Sequence, residues 1–247
     1  MNPQSGPTPL PINRLALFSM APGMAIVTLY LITARPVLRL GYPALAALLV
    51  SATVGVVVLQ LPHLFVLGYR KSHHVTLDGV VGYREAIPAS RFVTILLLSV
   101  CVAVAGLLCT SALDGWLVKH VFHWLPAWYN YFDPTQFAQV SRDRLLQVAA
   151  MRLGLDGIAI PVVEELYFRG YLLARTGGSA LRAALVNASL FTVYHLWQPF
   201  NYPTIFIVAF ILAYVVRKTR SVSLGIAIHM LLNIIGAGLG TLLMLHR

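Results

Sequence analysis

Acidic residues are scarce in this chain: Asp and Glu number 8 among 247 residues, against 18 Lys and Arg. Charged residues make up 11% of the sequence, whereas a soluble domain has about 25%. A water-soluble globular protein is therefore excluded, and the 58% of hydrophobic residues predicts a polytopic membrane protein. Cysteine is equally scarce. Cys101 and Cys109 would lie about 12 Å apart on one helix, which is too far for a disulfide, and they indicate no redox compartment.

Long polar stretches are also missing. No polar linker divides the chain and no internal repeat is visible, so one helical bundle is favoured over two domains. The net charge of +10 could suggest nucleic-acid binding. The basic residues are scattered in short clusters between apolar segments, however. Orientation in a membrane explains this pattern better, and no nucleic-acid partner is expected.

Seven apolar segments predict an all-α, polytopic transmembrane bundle of about seven (six to eight) membrane helices. They lie at approximately 15–33, 43–67, 92–113, 145–174, 180–198, 203–216 and 222–245. A span needs about 20 residues, so the short segment 203–216 is expected to be tilted, extended or only partly inserted. The stretch 114–144 is rich in aromatic residues and is interpreted as an interfacial segment rather than an eighth span.

The predicted organisation is one integral bundle in three parts. Residues 1–14 are rich in proline and polar residues and predict an irregular segment. Residues 15–144 hold the N-terminal membrane helices and the interfacial loop, and residues 145–247 hold the helices that carry the candidate site. The stretch from Leu15 to Ile32 is long for a signal peptide and is interpreted as a retained first span.

Basic residues in the loops predict the orientation of the bundle in the cell membrane. More of them fall on one side than on the other, and an excess of Lys and Arg marks the cytoplasmic side. The N-terminus is therefore expected in the cytoplasm and the C-terminus outside. The richer side collects Arg14, Arg70, Lys71, Arg84, Arg91, Arg175, Arg182, Arg217, Lys218 and Arg220, and the other collects Arg35, Arg39, Lys119, Arg142, Arg144 and Arg247.

Two adjacent acids, Glu164 and Glu165, stand in the apolar run IAIPVVEELYFRGYLLA. An ionisable residue at membrane depth indicates a functional site by default. Arg169 lies four residues after Glu165, so the two can pair on one helix face. Adjacent positions point about 100° apart, which leaves Glu164 unpaired and available as a base. A buried Glu–Arg pair that only fixes helix packing is the alternative interpretation of Glu165 and Arg169.

Two later apolar segments each add a histidine. His195 follows Phe191 by one turn, and a lone histidine near a helix end is more often a satisfied residue than a functional one. His229 and Asn233 stand at i and i+4 on an otherwise apolar helix, where polar side chains need partners on other helices. We expect these groups to meet Glu164 in a polar cavity within the membrane.

A carboxylate, two imidazoles and an amide suit two kinds of chemistry. In the first, they hold a water whose proton Glu164 removes during attack on a carbonyl, while a histidine or the amide stabilises the oxyanion. In the second, two histidines and a glutamate bind zinc, which activates the water. The sequence contains no HExxH, and Asn is a poor zinc ligand, so the metal-free scheme is favoured and no cofactor is expected.

At these residues the sequence resembles a known family, the CAAX-prenyl-protease and bacteriocin-processing (CPBP) intramembrane proteases. The family pattern is EExxxR, then FxxxH, then HxxxN or HxxxD, on three membrane helices. The three motifs here run from Glu164 to Arg169, from Phe191 to His195 and from His229 to Asn233. The resemblance covers about residues 145–240 and does not extend to residues 1–144.

The resemblance implies a metal-independent, glutamate-type endopeptidase that cleaves a membrane-associated peptide or protein at the lipid bilayer. It implies that Glu164 is the base, assisted by His195, and that His229 and Asn233 bind water or stabilise the oxyanion. Glu165 and Arg169 would form a supporting pair. Phe168 and Phe191 would pack along the cavity.

Family membership leaves the substrate open. The compact chain with its short N-terminus is typical of bacteria or archaea, which argues against a prenylated substrate and favours a membrane-tethered leader or a C-terminal signal. The alternative function is a non-enzymatic immunity or scaffold protein that uses the polar cluster to bind a partner. A proton-coupled transporter is disfavoured, because no pair of broken helices related by internal symmetry is visible.

Overall fold

A computed structural model describes residues 7–245 as a helical bundle. Within this range, six helical stretches are long and apolar enough to cross a membrane: Ile12–Arg39, Ala44–Ser72, Ala89–His120, Arg142–Arg175, Pro199–Thr219 and Val222–Leu245. A shorter apolar helix, Ala180–Tyr194, is the seventh member of the bundle. The predicted all-α bundle of about seven helices is therefore confirmed, and the chain is a multi-pass membrane protein.

The helices are α1 (Ile12–Arg39), α2 (Ala44–Gly55), α3 (Leu61–Ser72), α4 (Ala89–His120), α5 (Arg142–Met151), α6 (Ile160–Glu164), α7 (Ala180–Tyr194), α8 (Tyr202–Thr219) and α9 (Val222–Leu245). A π-helical turn, Val56–Gln60, joins α2 to α3 in one span. Two more, Arg152–Ala159 and Glu165–Leu172, flank α6 in the 142–175 span. π-Helical segments inside α-helices are frequent at functional sites, and one of the two eight-residue segments here begins at Glu165.

Of the three alternatives for the short segment 203–216, the structure shows the extended one. Segment 203–216 is part of a 21-residue stretch, Pro199–Thr219, because the helix continues through the basic residues that follow the apolar run. The short helix is α7, which has 15 residues. Its backbone leaves the helical conformation at His195 (φ −77°, ψ 52°), although the apolar sequence continues through Trp197.

The first helix and the aromatic stretch differ in their bounds from the predicted ones. The first helix begins at Ile12, three residues before the predicted start, and predictions that fall on residues 1–6 and on Arg247 lie outside the described residues. Helix α4 extends to His120. Between α4 and α5, residues 121–141 contain only two short 3₁₀ turns, Ala127–Tyr129 and Pro134–Phe137, and no further span.

The helices that carry the three motifs lie together in the bundle. Helix α9 packs against the 142–175 span, α7 packs against α8 and α1, and α4 covers the outer side of α8 and α9. We call the end at which α3 and α8 finish and α4 and α9 begin the basic end, because its loops carry the larger group of Lys and Arg. Glu164 lies about 16 Å along its helix from Arg175 at that end, which places the acid well inside the bundle.

Candidate active site

The two adjacent acids have different partners, as their positions on the helix predicted. Glu165 is fully buried, and its Oε1 lies 3.0 Å from Nη1 of Arg169. Glu164 is 4% exposed, and its Oε1 accepts a hydrogen bond of 3.1 Å from the hydroxyl of Tyr194. Among the described residues, one carboxylate is thus neutralised by a cation, while the other is hydrogen-bonded only to a neutral donor.

Tyr194 belongs to a buried polar chain that sequence reasoning missed. Its hydroxyl accepts a hydrogen bond of 3.0 Å from Nε2 of Gln60, on the π-helical turn between α2 and α3. The chain Gln60–Tyr194–Glu164 therefore links three spans of the bundle. A glutamine in the apolar run VVVLQLP was a signal of this chain in the sequence, because a polar side chain at membrane depth needs a partner.

His229 joins the paired acid rather than the free one. Its Nδ1 lies 3.0 Å from Oε1 of Glu165, so this carboxylate holds both Arg169 and His229. Gly225, one turn before His229, permits this approach. A Cβ atom at Gly225 would lie 2.9 Å from Oε2 of Glu165 and 2.6 Å from Cγ2 of Val216. Because Nδ1 of His229 is bonded to Glu165, its Nε2 atom remains available for a ligand. His229 is also close enough to Glu164 to interact with it electrostatically.

His195 caps α7 and is oriented by its own helix. Its Nδ1 donates to the carbonyl of Phe191 at 2.8 Å, which fixes the proton on Nδ1 and leaves Nε2 as an acceptor. The ring of Phe191 lies between the two imidazoles, with centroid distances of 4.6 Å to His195 and 6.2 Å to His229. Phe168 packs edge-on against Phe191 at 4.8 Å. Both phenylalanines therefore pack beside the imidazole of His195, directly or through each other.

Arg169 is held by stacking as well as by charge. Its guanidinium lies 4.1 Å from the ring centroid of Phe191, and its Nη2 donates to the carbonyl of Ala209 at 3.4 Å. The side chain is fully buried. It therefore ties three elements together: the 142–175 span, α7 and α8.

Asn233 lies beside a residue that the sequence interpretation passed over. Its Nδ2 donates to the backbone carbonyl of Asp156 at 2.8 Å and lies 3.4 Å from the carboxylate of the same residue. Asp156 in turn pairs with Arg152 at 3.7 Å. The nitrogen of the Asn233 amide is therefore engaged by the 142–175 span. Asp156 stands in the apolar run RLGLDGIA and was detectable by the argument that identified Glu164.

The loop between α4 and α5 covers the cluster from the end opposite to the basic end. The hydroxyl of Tyr129 donates to the carbonyl of Leu196 at 2.8 Å, and the hydroxyl of Tyr131 donates to the side chain of Gln198. Burial raises the pKa of Tyr129 to about 12, so it remains a donor at neutral pH. These bonds hold the non-helical residues after His195 inside protein, which irregular backbone at membrane depth requires.

The side chains of the site do not form a metal-binding cluster among the described residues. Within residues 7–245, no three His, Cys, Asp or Glu side chains are arranged so that they could hold a metal ion. Glu165 is engaged by Arg169 and His229, and His195 points its Nδ1 at a backbone carbonyl. The metal-free scheme therefore stays a prediction, to be tested by chelation.

Fold and site together define a polytopic membrane protein in which Glu165 holds Arg169 and His229 inside the bundle, while His195 contacts the ring of Phe191. Residues 147–235 match the family model described as type II CAAX prenyl endopeptidase Rce1-like. The matched segment contains all three motifs, so the resemblance to the CPBP proteases is confirmed over this part of the chain. No curated protein and no solved structure matches the chain significantly.

Proposed function

We propose that the chain is an intramembrane endopeptidase that hydrolyses a peptide bond of a membrane-associated protein or peptide, with Glu164 activating the water. The observation that carries the proposal is the division between the two acids: within residues 7–245, Arg169 and His229 bond to Glu165, while Glu164 is hydrogen-bonded only to the Tyr194 hydroxyl. A packing role would be served by the Glu165 pair alone. A packing role does not explain why Glu164, a second buried carboxylate, has no cation as its partner among the described residues.

The reaction follows from these groups. Glu164 takes a proton from water as the water oxygen attacks the carbonyl carbon of the scissile bond, and His195 assists by binding the same water through Nε2. His229 stabilises the oxyanion of the tetrahedral intermediate through Nε2, and Asn233, whose amide nitrogen is engaged by Asp156, binds the water through its amide oxygen. When the C–N bond breaks, Glu164 returns the proton to the leaving amine. Glu165 acts by fixing the ring of His229.

The position of the site inside the bundle restricts the class of substrate. A peptide bond reaches Glu164 only when the substrate is held at the membrane, so a lipid or membrane-spanning tether is part of the proposal. The matching family description names CAAX prenyl substrates. A prenylated C-terminus, a tethered leader and a C-terminal signal are therefore the candidate substrates, and the activity test distinguishes them.

Purified protein in detergent micelles is expected to cleave a peptide that carries a lipid tether, and to cleave the same peptide without the tether far more slowly. The comparison uses a prenylated CAAX peptide, an acylated leader-type peptide and their untethered forms, with products identified by mass spectrometry. Activity is expected to survive exhaustive metal chelation, because Glu164 supplies the base directly.

The same assay can reject parts of the proposal. Equal cleavage of tethered and untethered peptides would exclude the membrane-held substrate. Activity that is lost on chelation and restored by zinc would replace the glutamate scheme with a metal scheme. If wild type and Glu164→Gln both leave every tethered peptide intact, the scaffold or immunity function gains support.

Tyr194→Phe is expected to lower kcat about tenfold with little change in KM, because it removes one hydrogen bond that orients Glu164 and leaves the ring packing intact. Tyr194 is a positioning residue, since it touches the base and not the substrate. Tyr214→Phe on α8 is the matched control, because that side chain is 38% exposed and lies on the outside of the bundle. A Tyr194→Phe protein with wild-type kcat would show that Glu164 is positioned without this chain.

A further inference from the structure

A second cavity, separate from the site around Glu164, opens at the basic end of the bundle. Its volume is about 630 Å³, within the range of small-molecule binding pockets. Its walls come from the segment before α1, the last turns of α3, the loop after α3 and the end of the 142–175 span. No catalytic residue proposed above lines it.

Two cations line this cavity and bond to the carbonyls of consecutive residues. Nζ of Lys71 donates to the carbonyl of Gly79 at 3.1 Å, and Nη1 of Arg175 donates to the carbonyl of the next residue, Val80, at 2.8 Å. Arg175 also stacks on Tyr171, with its guanidinium 4.3 Å from the ring centroid. The backbone and the ring thus fix both side chains. Gly79 has φ +69°, and a Cβ atom there would lie 2.4 Å from Nζ of Lys71.

The positive charge of this pair is not neutralised by protein. Within residues 7–245, neither Lys71 nor Arg175 forms an ion pair with a carboxylate. The acid nearest in sequence, Asp78, is paired with Arg84. The hydrogen bond from Arg84 holds the pKa of Asp78 below its ordinary value, so that acid stays charged and engaged. Two adjacent cations repel each other, and an anion between them removes that cost.

The other walls of the cavity are apolar. Leu10, Leu67, Val80 and Val81 line it beside the two cations. The cavity lies where α3 and the 142–175 span finish, at the depth of lipid headgroups for helices of this length. Charged donors beside apolar walls at that depth match a phosphate head followed by the first part of an acyl chain. Basic pockets between membrane helices bind anionic lipid heads in this way.

We propose that this cavity binds a phosphate group through Lys71 and Arg175, and that the phosphate is the head of an anionic membrane lipid. Nζ of Lys71 and the Nε and Nη2 atoms of Arg175 supply the donors. The bound phosphate also ties the end of α3 to the end of the span that carries Glu164. The proposal concerns binding and does not depend on the proteolytic function.

Native mass spectrometry of the purified protein tests the proposal. In neutral micelles, wild type is expected to retain dioleoyl-phosphatidylglycerol in preference to dioleoyl-phosphatidylcholine. Lys71→Gln is expected to weaken the retention about tenfold, because one charge-assisted hydrogen bond is lost. Lys218→Gln is the matched control: Lys218 is exposed, lies at the same end of the bundle and is not part of the cavity. It is expected to leave the retention unchanged.

A second variant distinguishes a loss of lipid binding from a folding defect of the Lys71→Gln protein. Thr8 is exposed and lines the cavity, so Thr8→Glu adds a negative charge to the cavity without disturbing the core and is expected to weaken retention similarly. Addition of inorganic phosphate separates the two sources of the ligand. If phosphate alone raises the melting temperature as much as the lipid does, the site binds a soluble phosphate. Equal retention of both lipids, unchanged by Lys71→Gln and Thr8→Glu, would overturn the proposal.

Discussion

Glu164→Gln is expected to lower kcat by at least about 10³-fold while the protein stays folded in the membrane. The amide has nearly the shape of the carboxylate and keeps an oxygen to accept from Tyr194, so packing is preserved. It cannot take a proton from water, however. Substrate binding does not use this proton, and KM is expected to change little.

Asp114→Asn provides the matched control for Glu164→Gln. Asp114 is another buried acid within a membrane helix, and its carboxylate accepts a hydrogen bond from Thr204 on α8. It lies near the end of α4 and belongs to none of the three motifs. The Asp114→Asn protein is expected to cleave the tethered peptide at the wild-type rate. If Glu164→Gln is equally active, Glu164 is not the base, and the mechanism proposed here is wrong.

The pairing of Glu165 with Arg169 was predictable because it is local. Positions four apart on a helix meet on one face whatever the rest of the chain does, and the structure places the two charged groups 3.0 Å apart. His229 and Asn233, also four positions apart, were likewise expected to need partners on other helices, and both bond to the 142–175 span. The sequence could not show that His229 bonds to Glu165 rather than to Glu164, because that depends on how closely α9 approaches at Gly225.

Two features were missed for different physical reasons. Gln60 and Tyr194 are 134 residues apart in sequence, and no pattern within either helix indicates that they meet. The predicted segment 180–198 extends beyond the end of α7 at Tyr194. Hydropathy depends on the side chains, whereas a helix ends where its backbone leaves the helical conformation. Leu196 and Trp197 continue the apolar pattern after the backbone has left the helix at His195.

Arg169→Met is expected to cause the largest loss of stability, about 3–5 kcal/mol, because it leaves the charge of Glu165 buried without its cation. Met fills much of the volume against Phe191, so the loss reports the charge and the stacking more than a cavity. The measurement is the midpoint of denaturant-induced unfolding in micelles. Arg84→Met is the control, since its ion pair with Asp78 is exposed, and exposed pairs contribute roughly 0–1 kcal/mol.

A double variant separates an uncompensated charge from lost packing. Replacing Glu165 and Arg169 together, as Glu165→Leu with Arg169→Met, removes both charges and is expected to recover most of the stability that Arg169→Met loses. Hydrolysis should stay low in the double variant, because His229 loses the carboxylate that fixes its ring. If the double variant is as unstable as the single one, packing around Phe191 and not the buried charge is what Arg169 provides. If the double variant also hydrolyses the tethered peptide at the wild-type rate, Glu165 does not orient His229.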